Sequence, residues 1–376
     1  MSRPRRVLVV TWELQPDSGW GRYSLGLVRG LLERGVKVTV LTDRRAESPP
    51  LDARIIACLS SPLAPLDRPL PFAWNLANVW RHAPGHDLVH FFVEPYALAA
   101  SGVFPWPYVI TVHGTYGVSP LRMNDVTRTL FARTMRRAAS VVCVSGYTRR
   151  RVSEALPLDN LDVVTNGLEP LKPPAGRFDR TIAGGPVLMA AGALKPRKGY
   201  HTTLEALPAV RERYPEVHYY LVGDDQDRKY VARLRETIAR LDLAQNATIT
   251  GIIDDAYLDA LYRRADAYVH PAENSGGAFE GFGLTYLEAN AYGKPVVGTL
   301  GCGAEDAIDD GDNGYLVPQR DPKAVADALL RLLDDPVAAR AMGERGRQRA
   351  LSRDWSHVVD EYLAIYDRVL GRKQAQ

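Results

Sequence analysis

Thirteen short apolar runs, broken by helix-period segments, set what this chain can fold into. Seven lie in the first half, at residues 6–10, 37–42, 54–58, 87–91, 108–112, 140–144 and 162–164. Six more follow at 187–191, 217–222, 248–250, 267–270, 295–298 and 315–317. They are rich in Val, Ile and Leu and alternate little with polar residues. That pattern belongs to strands covered on both faces, as in a parallel sheet. Segments of helical period separate many of them, at 22–34, 126–138, 147–155, 200–214, 229–241, 256–264, 284–292 and 324–333. Strand, helix, strand, repeated, predicts a doubly wound α/β fold. Residues 168–186 hold four prolines and three glycines and show no period, which marks a linker. The expectation is two Rossmann-like domains in tandem, residues 1–175 and 176–355, facing each other across a cleft. Residues 356–376 supply a last helix, available to pack back on the first domain.

In such sheets ligands bind outside the carboxyl ends of the strands, so function is read from the loops that follow them. The most informative loop runs from Glu280 through Gly281, Phe282, Gly283 and Leu284 to Glu288. Its glycines permit close backbone approach. The helix beginning at Leu284 offers unpaired N–H groups and a positive dipole end, a ready anion site. Glu288 stands about 6 Å further along that helix, the offset of a ribose from a diphosphate at the helix start. A second loop, Lys195-Pro196-Arg197-Lys198-Gly199, follows the strand 187–191 directly, and its two adjacent cations suit a diphosphate leaving group. It lacks the spacing of a P-loop, and no Gly-x-Gly-x-x-Gly fingerprint is present. In the first half, Gly19-Trp20-Gly21-Arg22 follows the first strand, His113-Gly114 follows the fifth, and Glu94 lies just past the fourth. The first two also fit a plain turn or a structural side chain, and Glu94 fits a structural role better than a functional one.

Several features are set aside. Asp225-Gln226-Asp227 and Asp310-Gly311-Asp312 match a short metal-binding string that is too small to carry information, so no metal site is expected. Cys302 has no histidine placed to activate it. With Cys58 and Cys143 it is one of only three cysteines, read as free thiols of a reducing compartment. The apolar run behind the basic start is too short for a signal peptide, and no 18-residue apolar stretch spans a membrane. A cytoplasmic protein is expected. The charge is unevenly spread. Residues 1–175 carry 21 Lys and Arg against 14 Asp and Glu, and the remainder carries 26 against 30. A basic first half, with arginines at 133, 136, 137, 149, 150 and 151, presents either a solvated face or a surface for anionic lipid or an anionic acceptor. Nucleic acid is not among the expected partners.

These loops resemble the GT-B glycosyltransferases of the retaining family 4, also called glycosyl transferases group 1. The resemblance covers nearly the whole length. Its specific part is in the second half: Arg197-Lys198-Gly199, His270-Pro271, the paired Glu280 and Glu288, Gly293-Lys294-Pro295, Glu305, and Asn313-Gly314 fall in the family's order and spacing. Gly21-Arg22-Tyr23, His113-Gly114 and Asn166-Gly167 are the weaker part. One departure is Gly301-Cys302, where the family has paired glycines.

The resemblance implies a retaining, metal-independent hexosyltransferase with no cofactor. A UDP- or GDP-sugar would bind the second domain, and a saccharide or lipid-linked acceptor the first. Polysaccharide or glycoconjugate synthesis is the implied setting, with peripheral contact at the inner face of an anionic membrane as a further candidate. By the same analogy Arg197 and Lys198 hold the diphosphate. Glu280 and the amides of Phe282, Gly283 and Leu284 face sugar and phosphates. Glu288 takes the ribose, while His113 and the loop around Gly21 approach the sugar. A nucleotide-sugar epimerase on the same architecture is the alternative.

Overall fold

The computed structural model describes residues 5–16, 18–62, 69–123, 125–169, 171, 176, 178–179 and 181–371. The chain forms two compact units, Met1–Glu169 with Arg353–Gln376, and Pro170–Ser352. The boundary read from sequence at 175/176 falls instead at 169/170, and residues 353–355 join the first unit.

The first unit holds a seven-stranded, all-parallel sheet. Its strands are β1 (Arg6–Val10), β2 (Lys37–Asp43), β3 (Arg54–Leu59), β4 (Leu88–Phe91), β5 (Tyr108–Val112), β6 (Ser140–Cys143) and β7 (Leu161–Val163). Their spatial order is β3-β2-β1-β4-β5-β6-β7. β1 pairs with β2 on one side, Val7 opposite Val38, and with β4 on the other, Val7 opposite Leu88. The order reverses between β1 and β4, which makes the carboxyl ends of those two strands the switch point. β4, β5 and β6 are buried along their whole length, which explains their unbroken apolar runs.

The second unit repeats the plan with six parallel strands: β8 (Val187–Ala191), β9 (His218–Val222), β10 (Ala247–Gly251), β11 (Ala267–Val269), β12 (Val296–Thr299) and β13 (Gly314–Val317). Their order is β10-β9-β8-β11-β12-β13, and the switch point lies between β8 and β11. All thirteen strands sit within two residues of their expected limits. Aspartates set several helix starts, since a carboxylate accepts an otherwise orphaned N–H. Asp227, Asp254 and Asp321 bond the amides of Tyr230, Tyr257 and Ala324.

Three of the longer helices depart from the sequence reading. The helix expected from residue 22 runs Gly19–Glu33, because Ser18 caps it through the Gly21 amide at 2.9 Å. Gly19, Trp20 and Gly21 therefore form its first turn rather than a loop before it. A helix at Pro69–His82 was not foreseen. Nor was the long helix Pro336–Ser352. Its buried face includes Ala339, Gly343, Gly346 and Ala350, too small to show as hydrophobic period. A side chain at Gly343 would strike the Gly293 carbonyl, and one at Gly346 would strike Asn290.

The last helix, Trp355–Val369, belongs to the core of the first unit. Gly26 and Gly30 leave room for Trp355 and Val359, whose atoms lie 2.1 and 2.3 Å from where Cβ atoms would stand. Tyr23, Thr111 and Tyr362 share hydroxyl hydrogen bonds in the same core.

Candidate active site

The switch point of the second unit collects the motif residues. After β8 the chain makes a 3-10 turn, Pro196–Lys198, ended by Gly199 in the left-handed region at φ 70°. A Cβ on Gly199 would lie 1.8 Å from the Pro271 carbonyl oxygen, so only glycine lets this loop lie against the one after β11. The Glu273 amide then donates to the Arg197 carbonyl at 2.8 Å and ties the two loops together.

One carboxylate oxygen joins the proposed charges. Glu280 Oε2 accepts from Lys198 Nζ and from Arg197, each at 2.7 Å. The Glu280 and Lys198 side chains are about nine-tenths buried. Burial alone would raise the Glu280 pKa, but Lys198 and then Arg197 outweigh it and hold the carboxyl well below its usual range. The resemblance assigns Arg197 and Lys198 to the donor diphosphate and Glu280 to its sugar and phosphates. In this structure both cations pair with Glu280.

Gly283, at φ 85°, precedes the helix Leu284–Ala291, and no side chain caps that helix. The amides a helix start leaves unpaired are therefore not claimed by a cap. Phe282 is buried beside it, and Gly303 approaches the Gly281 carbonyl so closely that a Cβ would overlap it. Glu288 lies one turn into the helix and accepts from the Tyr262 hydroxyl at 3.3 Å.

Sequence reasoning named His270 only as a motif letter. The structure buries it beside this cluster, with Nε2 lacking any hydrogen-bond partner among the described residues. Burial, then the Lys198 charge, pushes its pKa well down, so the ring is neutral. Its position at the end of β11 was the available signal. Glu273 was also missed; it is buried, and Arg320 donates to it at 2.9 Å.

In the first unit, His113 follows β5 and Glu94 follows β4. The His113 Nε2–H donates to the Phe92 carbonyl at 2.8 Å, which leaves Nδ1 as the lone-pair nitrogen of the neutral ring. Burial lowers the His113 pKa to about 4. The Gly21 amide is taken by Ser18, and a Cβ there would lie 1.7 Å from the Gln15 carbonyl oxygen.

The set-aside features have structural work. Asp227 caps a helix, Asp310 accepts from the Leu316 amide, and Asp312 pairs with Arg345. Among the described residues, no three His, Cys, Asp or Glu side chains converge to hold a metal ion. Cys302 is buried, bonded to Thr299, and pushed up to about 11 by burial. No described helix is long and apolar enough to cross a membrane. Arg128, Arg133 and Arg136 line a hollow of about 340 Å3 with Leu121, Ala132 and Leu156. None of the motif residues lines it.

Two parallel, doubly wound units, the second with cations, a carboxylate and an uncapped helix at its switch point, give the chain the plan of a GT-B fold. Residues 177–349 match the profile described as Glycosyl transferases group 1, and residues 18–170 the one described as Glycosyltransferase Family 4. A GDP-mannose-dependent alpha-(1-6)-phosphatidylinositol monomannoside mannosyltransferase of Mycolicibacterium smegmatis is 34% identical over 264 residues, 68% of each chain. A phosphatidyl-myo-inositol mannosyltransferase of Mycobacterium tuberculosis is 31% identical over 316 residues, 80% of this chain and 79% of that one. Sucrose-phosphate synthase from Thermosynechococcus elongatus superposes with a TM-score of 0.79 at 22% identity, covering 98% and 99%. The chain belongs to the group 1 glycosyltransferases and is an enzyme that uses a nucleotide sugar.

Proposed function

We propose that the chain is a retaining, metal-independent mannosyltransferase. It would take GDP-mannose on its second unit and a saccharide or lipid-linked acceptor on its first. The observation that carries the donor site is the Arg197–Lys198–Glu280 cluster beside an uncapped helix start. The mannose and the lipid-linked acceptor rest on the two mycobacterial relatives. The relatives lend no support to the epimerase alternative.

In this reading the incoming diphosphate draws Arg197 and Lys198 from Glu280. The released carboxylate then faces the sugar, and the Phe282, Gly283 and Leu284 amides meet the phosphates. Charge builds on the leaving diphosphate as the anomeric bond breaks, and preorganised cations stabilise it without reorganisation. The acceptor hydroxyl attacks from the same face and gives its proton to the departing phosphate. His113, neutral at working pH, accepts a sugar hydroxyl through Nδ1, and Gly21 lets the backbone come near. Glu288 accepts both ribose hydroxyls. Asp227, Asp310 and Asp312 of the two Asp-x-Asp strings are engaged in a helix cap, a backbone hydrogen bond and an ion pair, which supports a route without a metal. Arg128, Arg133 and Arg136, with Met123 and Val126 exposed nearby, favour peripheral contact with an anionic membrane.

Thermal shift with a panel of GDP- and UDP-sugars tests the donor. A ligand at 100 times its Kd adds about 2.7 kcal/mol. GDP-mannose should give the largest stabilisation, and a larger shift with a UDP-sugar would overturn the assignment. The anomeric configuration of the product, read by NMR, tests retention.

A further inference from the structure

Glu94 stands at the switch point of the first sheet, immediately beyond β4, and is fully buried. A carboxylate taken from water normally has a cation beside it, because desolvating an unpaired charge is expensive. Among the described residues no cation pairs with Glu94, and its Oε2 has no hydrogen-bond partner. Its Oε1 instead accepts the His113 amide at 2.6 Å. The amides of Gly114 and of Glu94 itself also lie close enough to favour the charged form. Gly114 is at φ 146°, ψ −117°, a conformation reserved for glycine. Two residues upstream, the Phe92 carbonyl holds the imidazole Nε2–H. Residues 92–94 thus hold the His113 ring through one atom and its backbone through another.

We propose that Glu94 is a positioning residue. Its carboxylate fixes the His113–Gly114 turn, so that His113 Nδ1 meets the transferring sugar, and loss of the charge loosens that turn and slows transfer. The inference rests on the role given to His113 above.

Burial raises the Glu94 pKa to about 7, its backbone donors opposing the shift. The titratable groups around Glu94 and the His113 it holds are His113 on the loop after β5, Cys143 at the end of β6, His90 in β4 and Tyr23 of the first helix, whose ring lies 4.5 Å from that of His113 and whose pKa burial raises well above its usual value. Burial pushes His113 down to about 4, lowers His90 and raises Cys143, so of these groups Glu94 alone titrates near neutrality. The sign for stability follows. A raised acidic pKa contributes stability below the unfolded value, and that stability is lost as the pH rises through about 7.

The test is the full-length enzyme and its Glu94→Gln, His113→Ala and doubly substituted forms. Steady-state rates, donor titration by calorimetry and melting curves are taken from one pH unit below to one above the Glu94 value. The wild type should lose kcat as the pH falls. Glu94→Gln should have kcat lowered about tenfold at the upper pH, the difference between a charged and a neutral acceptor, and should be flat across the range. It should bind the donor as the wild type does and melt no lower, or higher, at the upper pH. The double variant should be no slower than His113→Ala, as for two residues in one chain of effect. A slow Glu94→Gln that also melts lower at the upper pH would make Glu94 merely structural. Full activity in Glu94→Gln beside a slow His113→Ala would refute positioning while leaving the His113 role standing. Full activity in His113→Ala would remove that role, and the inference with it.

Discussion

Changing Lys198 to methionine keeps most of the side-chain volume and removes one of the two cations that hold Glu280. Both side chains are about nine-tenths buried and lie 2.7 Å apart, so the carboxylate cannot turn to water for compensation. Breaking a buried pair by removing one partner costs about 3–5 kcal/mol. Arg197 remains at 2.7 Å, which points to the lower end, about 3 kcal/mol. For a unit of this size that lowers the melting temperature by about 6–12 °C. Removing the stranded charge as well, in Lys198→Met/Glu280→Gln, should recover stability to within about 1 kcal/mol of the wild type, since an apolar or neutral replacement of a whole pair is often neutral. Activity should not recover. Lys198 acts where charge develops on the leaving diphosphate, so kcat should stay about 10²–10³-fold low in both variants. The pH dependence has a definite sign. The lowered Glu280 pKa contributes stability above the unfolded carboxylate value of about 4.3, and that contribution is lost as the pH falls toward the folded value. The gap between wild type and Lys198→Met should therefore be full at neutral pH and narrow in acid. Circular dichroism melts and steady-state kinetics read both effects. A double variant less stable than Lys198→Met alone, or a Lys198→Met with normal kcat, would refute the reasoning.

Glu288→Ala removes ribose contacts present equally before and during reaction. The KM for donor should rise about 10- to 150-fold with kcat less affected, checked by initial rates against donor concentration. EDTA should leave the rate within about twofold, and complete loss restored by manganese would mean a metal route worth several kcal/mol had been overlooked. Liposome flotation should show binding to anionic vesicles that weakens with salt, over a Debye length of about 10 Å at 0.1 M. Arg128, Arg133 and Arg136 changed together to alanine should lose that binding. Equal binding to neutral vesicles at high salt would sink the electrostatic account.

How much of this was legible in the sequence differs between strands, helices and side-chain partners. Strands buried on both faces carry their signal in every residue, so all thirteen could be read, and the loops after β8 and β11 could be named as the place for chemistry. Helices that pack through small residues carry almost none. Apart from Met342, Pro336–Ser352 makes its buried face of Ala339, Gly343, Gly346 and Ala350, and only the neighbouring Gly293 carbonyl and Asn290 side chain show why the two glycines are small. The start of the first helix went unread for a related reason, since glycines that suggest a loop also suit a tight approach, and Ser18 with the Gln15 carbonyl decides between them.

Local chemistry along the chain determined the parallel α/β plan, the two-part division and the identity of Arg197, Lys198, Glu280 and Glu288 as candidates. Residue type, spacing and period are properties of the chain itself. Partnership is not. That Lys198 and Arg197 meet on a single oxygen of Glu280, more than 80 residues away, is decided by the adjacency of β8 and β11. That Glu94 is buried with no cation paired to it among the described residues, and holds the His113 amide, is decided by the adjacency of β4 and β5. Burial and the sharing of a charge depend on what other strands bring alongside, and only the tertiary structure supplies that.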